Sequence, residues 1–154
     1  MSIPDRSFGR FIDGAPLPLK PCYFEVMSAF DPAGTYVCLS PDGSATTIPV
    51  TADFWPTIAT RTELAEGRLV AAFPCKATWA QWEMHPHGEE ILVLLSGKVT
   101  MVFDEPEHKR ERNVDLEQGL ACVVPHGVWH RAVVHEPGML LGITYGRGTE
   151  HRPR

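Results

Sequence analysis

The sequence predicts an all-β protein, built as a closed sandwich or barrel of short strands. Short runs rich in β-branched and aromatic residues recur along most of the 154 residues. The 14 prolines and 13 glycines are spread along the chain instead of clustered. This distribution is expected where many short strands are joined by turns. Only residues 55–64 have the pattern of a helix, with Pro56 in its first turn.

The predicted strands follow one another in order, and turn sequences lie between most of them. They cover residues 22–27, 36–39, 46–50, 68–73, 78–85, 91–95, 98–103, 110–116, 120–124, 129–135 and 139–144. Sequences such as Asp31-Pro32-Ala33-Gly34 are typical of tight turns. Residues 1–21 show no periodicity, and we expect an irregular arm there. We expect one domain over residues 1–154, because this length suits a single hydrophobic core.

The composition is that of an ordinary globular protein and disfavours several other classes. An apolar fraction of 44% argues against disorder, and a net charge of −5 argues against a nucleic-acid partner. No apolar run approaches the ~20 residues that span a bilayer, and no signal peptide is visible, so we expect no membrane partner and a cytoplasmic location. The four cysteines form no CxxC pair, and we expect reduced thiols at Cys22, Cys38, Cys75 and Cys122.

Two histidines and two acidic residues are predicted to converge on one cavity. Glu83 and His85 share a strand face, because side chains alternate along a strand. In the same way, Glu90 shares a face with Leu92 and Leu94, and His130 shares one with Ala132 and Val134. If the barrel interior takes these faces, the four side chains meet. Two imidazoles and two carboxylates suit one divalent Fe, Mn, Ni or Zn ion, with positions left open for water or substrate.

The segments around these residues resemble the two sequence motifs of the cupin superfamily. The matching parts are Glu90-x6-Gly97 for the end of the first motif and Gly119-x5-Pro125-x-Gly127-x2-His130 for the second. The resemblance covers residues 77–134, although the opening glycine falls on Ala77 and the closing asparagine on Val134. It implies a double-stranded β-helix, or jelly roll, of the small stand-alone bacterial kind. Most members of that subgroup have no assigned reaction.

This chain departs from the family pattern at the first histidine pair, which is followed in the family by three or four residues and a glutamate. If His85 and His87 are the pair, only two residues separate His87 from Glu90. If His85 is instead the second histidine, Glu83 takes the first position. We favour Glu83 as the fourth ligand, since it shares a strand face with His85. His87 follows Pro86, where the chain should already be turning.

The resemblance implies a metal-binding protein, and we expect a metal-dependent enzyme of the dioxygenase or isomerase type that acts on a small metabolite. A non-enzymatic cupin that binds or senses a small molecule is the alternative, and a purely structural barrel is a third possibility. The sequence identifies no separate general base, and Gln81, His87 and His126 are candidates by position. We expect a homodimer in which residues 1–22 reach the partner, because exposed strand edges favour pairing.

Overall fold

A computed structural model of the protein describes residues 28–105 and 110–154, together with two short strands near the N-terminus. These strands, β1 (Phe11–Ile12) and β2 (Ala15–Pro16), pair antiparallel. Apart from them, the predicted arm of residues 1–21 lies outside the described residues. The predicted strand at 22–27, with Cys22, also lies outside them.

The described part of the chain is mainly β-strand, which confirms the predicted fold class. The elements in chain order are β3 (Thr35–Leu39), β4 (Ala45–Pro49), α1 (Phe54–Thr57), β5 (Arg68–Cys75), β6 (Gln81–Met84), β7 (Glu90–Glu105), β8 (Arg110–Glu117), β9 (Ala121–Val124), β10 (His130–Thr144) and β11 (Glu150–Pro153). The strands from β3 to β11 form one antiparallel sheet of nine strands that folds over on itself.

The long strands β7 and β10 organise this sheet. They pair with each other over most of their length, from His130 opposite Phe103 to Thr144 opposite Glu90. The first half of β7 also pairs with β9 and its second half with β8, while β10 pairs with β5 and β6. The first layer therefore holds β4, β3, β5 and β9, and the second layer holds β11, β6 and β8. Both long strands pass from one layer to the other, as in a jelly roll.

Two glycines allow the long strands to bend where they change layers. Gly97 has a φ of +88°, which favours glycine over any other residue. A Cβ on Gly138 would lie only 1.8 Å from the carbonyl oxygen of Ser96. The turns predicted at 96–97 and 136–138 are therefore bulges inside continuous strands, and the register of the pairing shifts around them. The strands predicted at 91–95 and 98–103 are therefore the two halves of β7, and those predicted at 129–135 and 139–144 are the two halves of β10.

The main hydrophobic core lies between the two layers. Leu92 and Leu94 come from the first layer, and Met101 and Ala132 come from the second, yet all four are fully buried in one cluster. Even-numbered residues of β7 point inward before Gly97 and odd-numbered residues after it, as expected for a bulge that inserts one residue. Because the inner faces of both layers pack together, side chains at the strand ends can meet across the barrel.

The helix predicted over residues 55–64 is α-helical only at its start and continues as 3-10 turns, which agrees with a fold that has one short helix. Only Phe54–Thr57 is α-helical, and two short 3-10 turns follow at Ile58–Thr60 and Thr62–Leu64. The Thr60 hydroxyl donates to the Thr57 carbonyl, which Arg61 N–H would use in an α-helix, and Arg61 N–H bonds to the Ile58 carbonyl instead. Across the described residues, every helix falls short of the length and apolar character that a membrane crossing requires.

Candidate metal centre

Strand ends carry the four candidate side chains to one region of the barrel. Glu83 lies on β6, and His85 follows that strand directly. Glu90 is the first residue of β7 and His130 the first of β10. His130 is the register partner of Glu83, so these two are neighbours within the second layer. Glu90 belongs to the first layer and reaches the others across the barrel interior.

The two histidines lie close to both acidic residues of the set. The Nε2 atom of His130 lies 3.1 Å from Oε2 of Glu90, and Nε2 of His85 lies 3.5 Å from the same oxygen. One ligand atom each from Glu83, His85 and His130 falls within a mutual distance of 4.8 Å. His85, Glu90 and His130 are buried and Glu83 is half-buried. Metal binding by this set nevertheless stays a prediction.

Hydrogen bonds at the outer side of each imidazole determine which nitrogen faces the cluster. The hydroxyl of Thr149 donates its proton to the Gly146 carbonyl, so its oxygen accepts from Nδ1 of His85 at 2.9 Å. Nδ1 of His130 lies 3.3 Å from the Val128 carbonyl, which can only accept. Both neutral imidazoles therefore carry their proton on Nδ1 and direct the lone pair of Nε2 into the site.

Three buried acceptor atoms consequently face one another. Nε2 of His85, Nε2 of His130 and Oε2 of Glu90 all lack a hydrogen-bond partner among the described residues. Lone pairs held 3.1–3.5 Å apart repel unless a proton or a cation lies between them. The chemistry of this donor set, with two imidazoles and a carboxylate, fits a divalent metal ion.

The other oxygen of Glu90 is held by a neighbour on β10. The hydroxyl of Thr144 donates to Oε1 of Glu90 at 2.5 Å, and the two residues are register partners. This bond fixes the carboxylate so that Oε2 points toward the imidazoles. A ligating carboxylate that is itself hydrogen-bonded is a common feature of metal sites.

The electrostatics of the cluster keep Glu90 ionised. Burial raises the pKa of its carboxyl, but when Nε2 of each imidazole carries a proton in the metal-free site, the hydrogen bonds and charges of His130 and His85 outweigh burial and hold the pKa at about 2. Burial also raises the pKa of Glu83, and the charge of Glu90 raises it further. For His85, burial lowers the pKa, yet a proton on its Nε2 could be donated to Glu90 and is attracted by the charge of that carboxylate, so the pKa is raised overall. A proton on Nε2 of His85 and a metal ion would thus compete for one lone pair.

The remaining sequence candidates lie outside this cluster. His87 is exposed and lies beside Gly148, and it lines a separate surface pocket with Tyr145. His126 is exposed in the turn before β10. Gln81 is exposed on β6 but lines the same cavity as Glu83. Glu83 rather than His87 is therefore the residue that lies with His85 and His130, although its role as a ligand is still a proposal.

Sequence reasoning missed two residues near the centre, both at the C-terminal end of the chain. Strand β11 was not predicted, because its sequence lacks apolar alternation. It pairs with β6 and places His151 opposite Glu83, with Nε2 3.6 Å from Oε1. His130, Glu83 and His151 therefore form a row across three neighbouring strands. Thr149, which orients His85, precedes the same strand, and no local signal in the sequence indicated its role.

A large cavity opens from the cluster along the inner face of β5. Its volume is about 1350 Å³, and Glu83, His85 and Glu90 lie at one end. The wall is mostly apolar and includes Leu64, Leu69, Ala71, Phe73 and Trp79. The ring of Trp79 lies between those of Phe73 and His130, with centroids 6.5 and 6.1 Å away. An apolar cavity with a few convergent polar groups is the usual form of a small-molecule site.

No family model and no curated protein matches this chain. Solved structures are similar to it, including a cupin-2 domain protein from Shewanella frigidimarina, 18% identical over 56% of this chain and 71% of that one, with a TM-score of 0.42. Hydroquinone 1,2-dioxygenase from Sphingomonas sp. TTNP3, with 4-hydroxybenzoate bound, is 13% identical over 49% and 57% of the two chains, with a TM-score of 0.43. Bacillus subtilis oxalate decarboxylase, which has Mn(II) centres, is 18% identical over 62% and 26%, with a TM-score of 0.48. The match thus spans about half of the dioxygenase chain and a quarter of the decarboxylase chain. The family that the sequence motifs resemble is represented among these structures by the cupin-2 domain protein.

Proposed function

We propose that this chain binds one divalent metal ion through Glu83, His85, Glu90 and His130. The observation that carries the proposal is the convergence of three buried acceptors without a donor, Nε2 of both imidazoles and Oε2 of Glu90. Glu83 completes the set from the half-exposed side that faces the cavity. Fe, Mn, Ni and Zn ions all accept such nitrogen and oxygen ligands. On an ion with six coordination positions, four protein ligands leave two positions open for water or substrate.

We further propose that the chain is a metal-dependent enzyme of the dioxygenase or isomerase type, acting on a small metabolite. The ion, when bound, supplies polarisation of a substrate oxygen or activation of dioxygen. The residues of the chain bind and orient the substrate. Phe73 and Trp79 give an apolar wall that excludes water near the centre. Gln81 and His151 line the cavity beside Glu83 and are the polar groups placed to contact the substrate.

Turnover by the metal-loaded protein tests the enzymatic part of this proposal. Protein loaded with Fe(II) is mixed with a panel of small acids, phenols and diketones, while oxygen consumption and product formation are followed. We expect turnover of at least one compound, and its loss in His130→Ala. His126→Ala is the matched control, because it removes an exposed imidazole outside the cluster. Saturable binding without turnover across the panel would instead favour the sensing or binding role.

We also propose that residues 1–154 form one domain and that the chain acts in the cytoplasm as a homodimer. Cys38, Cys75 and Cys122 are free thiols, which is typical of a reducing compartment. Burial and the charge of Glu90 raise the pKa of the Cys122 thiol to about 11, so this cysteine stays protonated near the centre. The expected role of residues 1–22 in pairing lies outside the described residues.

A further inference from the structure

One wall of the large cavity is formed by the segment that connects β4 to β5. We call residues 54–65 of this connection the wall segment, which holds α1 and the two 3-10 turns, and most of its residues line the cavity. Leu64 of the wall segment packs against a buried cluster that contains Leu69. Leu69 is the register partner of Thr144, whose hydroxyl holds Glu90. The cavity therefore extends from the wall segment along β5 to the metal centre.

The charged side chains on the cavity wall fall into two groups. Among the described residues that line the cavity, the acidic ones are Glu83 and Glu90, and both belong to the proposed metal centre. The basic ones with a permanent charge lie outside it, Arg61 on the wall segment and Arg147 in the loop after β10. Apolar side chains make up most of the remaining lining. A ligand with an apolar body and a negative group therefore matches this part of the cavity.

Arg61 is the better positioned of the two arginines to bind such a negative group. Its side chain is 20% exposed, whereas that of Arg147 is 58% exposed and more accessible to competing water. The guanidinium of Arg61 also lies 4.6 Å from the centroid of the Phe54 ring, a cation–π contact that helps to hold it in place. A cation that is held and partly shielded from water binds an anion more strongly than a mobile, exposed one.

The hydrogen bonds of Arg61 leave part of its guanidinium without an acceptor. Nη1 donates to Oε1 of Glu63 at 2.9 Å, while Nε is buried and has no hydrogen-bond partner among the described residues. Buried donors are normally paired, because an unpaired one loses its hydration without compensation. The fork of Nε and Nη2 has the geometry that binds both oxygens of a carboxylate. The acidic neighbours of Arg61, Glu63 and Asp53, are exposed, so water screens their charge.

We propose that Arg61 binds a carboxylate of the substrate, which is accordingly an apolar carboxylic acid. The acid group accepts hydrogen bonds from Nε and Nη2, and the apolar body lies along Leu69 and Phe73 toward the metal centre. A hydrogen bond between charged groups is strong in an apolar cavity, because little water competes for either ion. Arg61 thus determines specificity and takes no part in making or breaking bonds. The inference rests on the proposed function and deepens it, since it names the class of substrate that reaches the metal centre.

Isothermal titration calorimetry with octanoate and octanamide, carried out on the full chain, tests the role of Arg61. The two probes share an apolar body and differ in the charge at one end. We expect the wild type to bind octanoate at least ~10-fold more tightly than octanamide, as a hydrogen bond between charged groups allows. Arg61→Gln should remove this preference and leave octanamide binding unchanged. Arg112→Gln is the matched control, because it removes an equal charge at an exposed position outside the cavity.

Glu63→Gln provides a second test whose expected effect has the opposite sign, in case Arg61→Gln alters the wall segment. The substitution removes the carboxylate that Nη1 of Arg61 binds. We therefore expect octanoate to bind ~3-fold more tightly, the size of effect that an exposed ion pair has, and octanamide to bind as in the wild type. Unchanged octanoate affinity in both Glu63→Gln and Arg61→Gln would show that the carboxylate does not reach Arg61.

The possible outcomes separate the role of Arg61 from the metal centre. Equal binding of octanoate and octanamide by the wild type would overturn the proposal for Arg61, and so would an Arg61→Gln variant that weakens both probes equally. Loss of the octanoate preference in His130→Ala, but not in Arg61→Gln, would place the carboxylate on the metal ion and also overturn it. A wild type that contains no metal, yet prefers octanoate through Arg61, would contradict the metal centre alone.

Discussion

The tautomers of His85 and His130 are determined by two acceptors that lie outside the cluster. Thr149 and the Val128 carbonyl occupy the Nδ1 positions, and this leaves both Nε2 lone pairs directed at Glu90. Together these acceptors orient two buried histidines as the proposed metal site requires. At the scale of single residues, the centre is therefore a set of lone pairs brought together against their own repulsion, which a cation relieves.

The choice between Glu83 and His87 as the fourth ligand is tested by removing each side chain in turn. We expect Glu83→Ala to lose at least ~10-fold in metal affinity, because a charged oxygen ligand is removed from a buried site. His87→Ala should keep the wild-type affinity, since His87 is exposed and lines a different pocket. Both variants are compared by competition with a chelator. Loss of metal in the His87 variant alone would restore the H-x-H pair of the family pattern.

The pH dependence of stability tests the electrostatics of Glu90. Its pKa of about 2 in the folded protein lies below that of an unfolded chain, so ionisation of this carboxyl stabilises the fold above pH ~4.3. That contribution, about 3 kcal/mol, is lost as the pH falls from ~4.3 toward ~2. We expect Glu90→Gln to flatten this acid limb in the metal-free protein, measured by urea unfolding. An unchanged acid limb would mean that Glu90 is not held by the imidazoles.

At the scale of elements, the two bent strands β7 and β10 place the centre. The halves of each strand belong to different layers, so the first residue of β7 and the first residue of β10 come together only because both strands bend. The sequence pattern predicted each half of β7 and β10 as a separate strand, but it did not show that the halves form continuous strands. Gly97 and Gly138 look like ordinary turn glycines in sequence, and only the packing of two strands across each other shows why a Cβ is excluded.

The bend is tested by Gly138→Ala. A Cβ at this position would overlap the Ser96 carbonyl, which is backbone and has no freedom to rotate away. We expect a loss of at least ~3 kcal/mol in the free energy of unfolding, together with a loss of metal. Gly34→Ala is the matched control, because its Cβ would find only ordinary contacts at 3.8 and 3.9 Å. Equal stability of the two variants would argue against a rigid bend.

At the scale of the whole molecule, the parts that sequence could predict are those governed by local alternation. Period-two patterning gave the β class and the shared face of Glu83 and His85, and motif spacing added Glu90 and His130. The contributions of Thr149 and His151 depend on β11 pairing with β6, a contact between residues more than 60 positions apart. Such pairing has no local signal, because it is determined by how the sheet closes. The segment 55–64 changes from α-helix to 3-10 turns for a local reason, since the Thr60 hydroxyl occupies the carbonyl that an α-helical Arg61 N–H would need.

The metal content of protein purified without an affinity tag tests the central claim most directly. Elemental analysis of the wild type should find about one divalent ion per chain, held by the acceptors that otherwise lack a partner. His130→Ala should lose most of that ion while the barrel stays folded, and His126→Ala should keep it. A wild type free of metal after growth and dialysis with Fe, Mn, Ni and Zn, or a His130→Ala variant at full occupancy, would contradict the account.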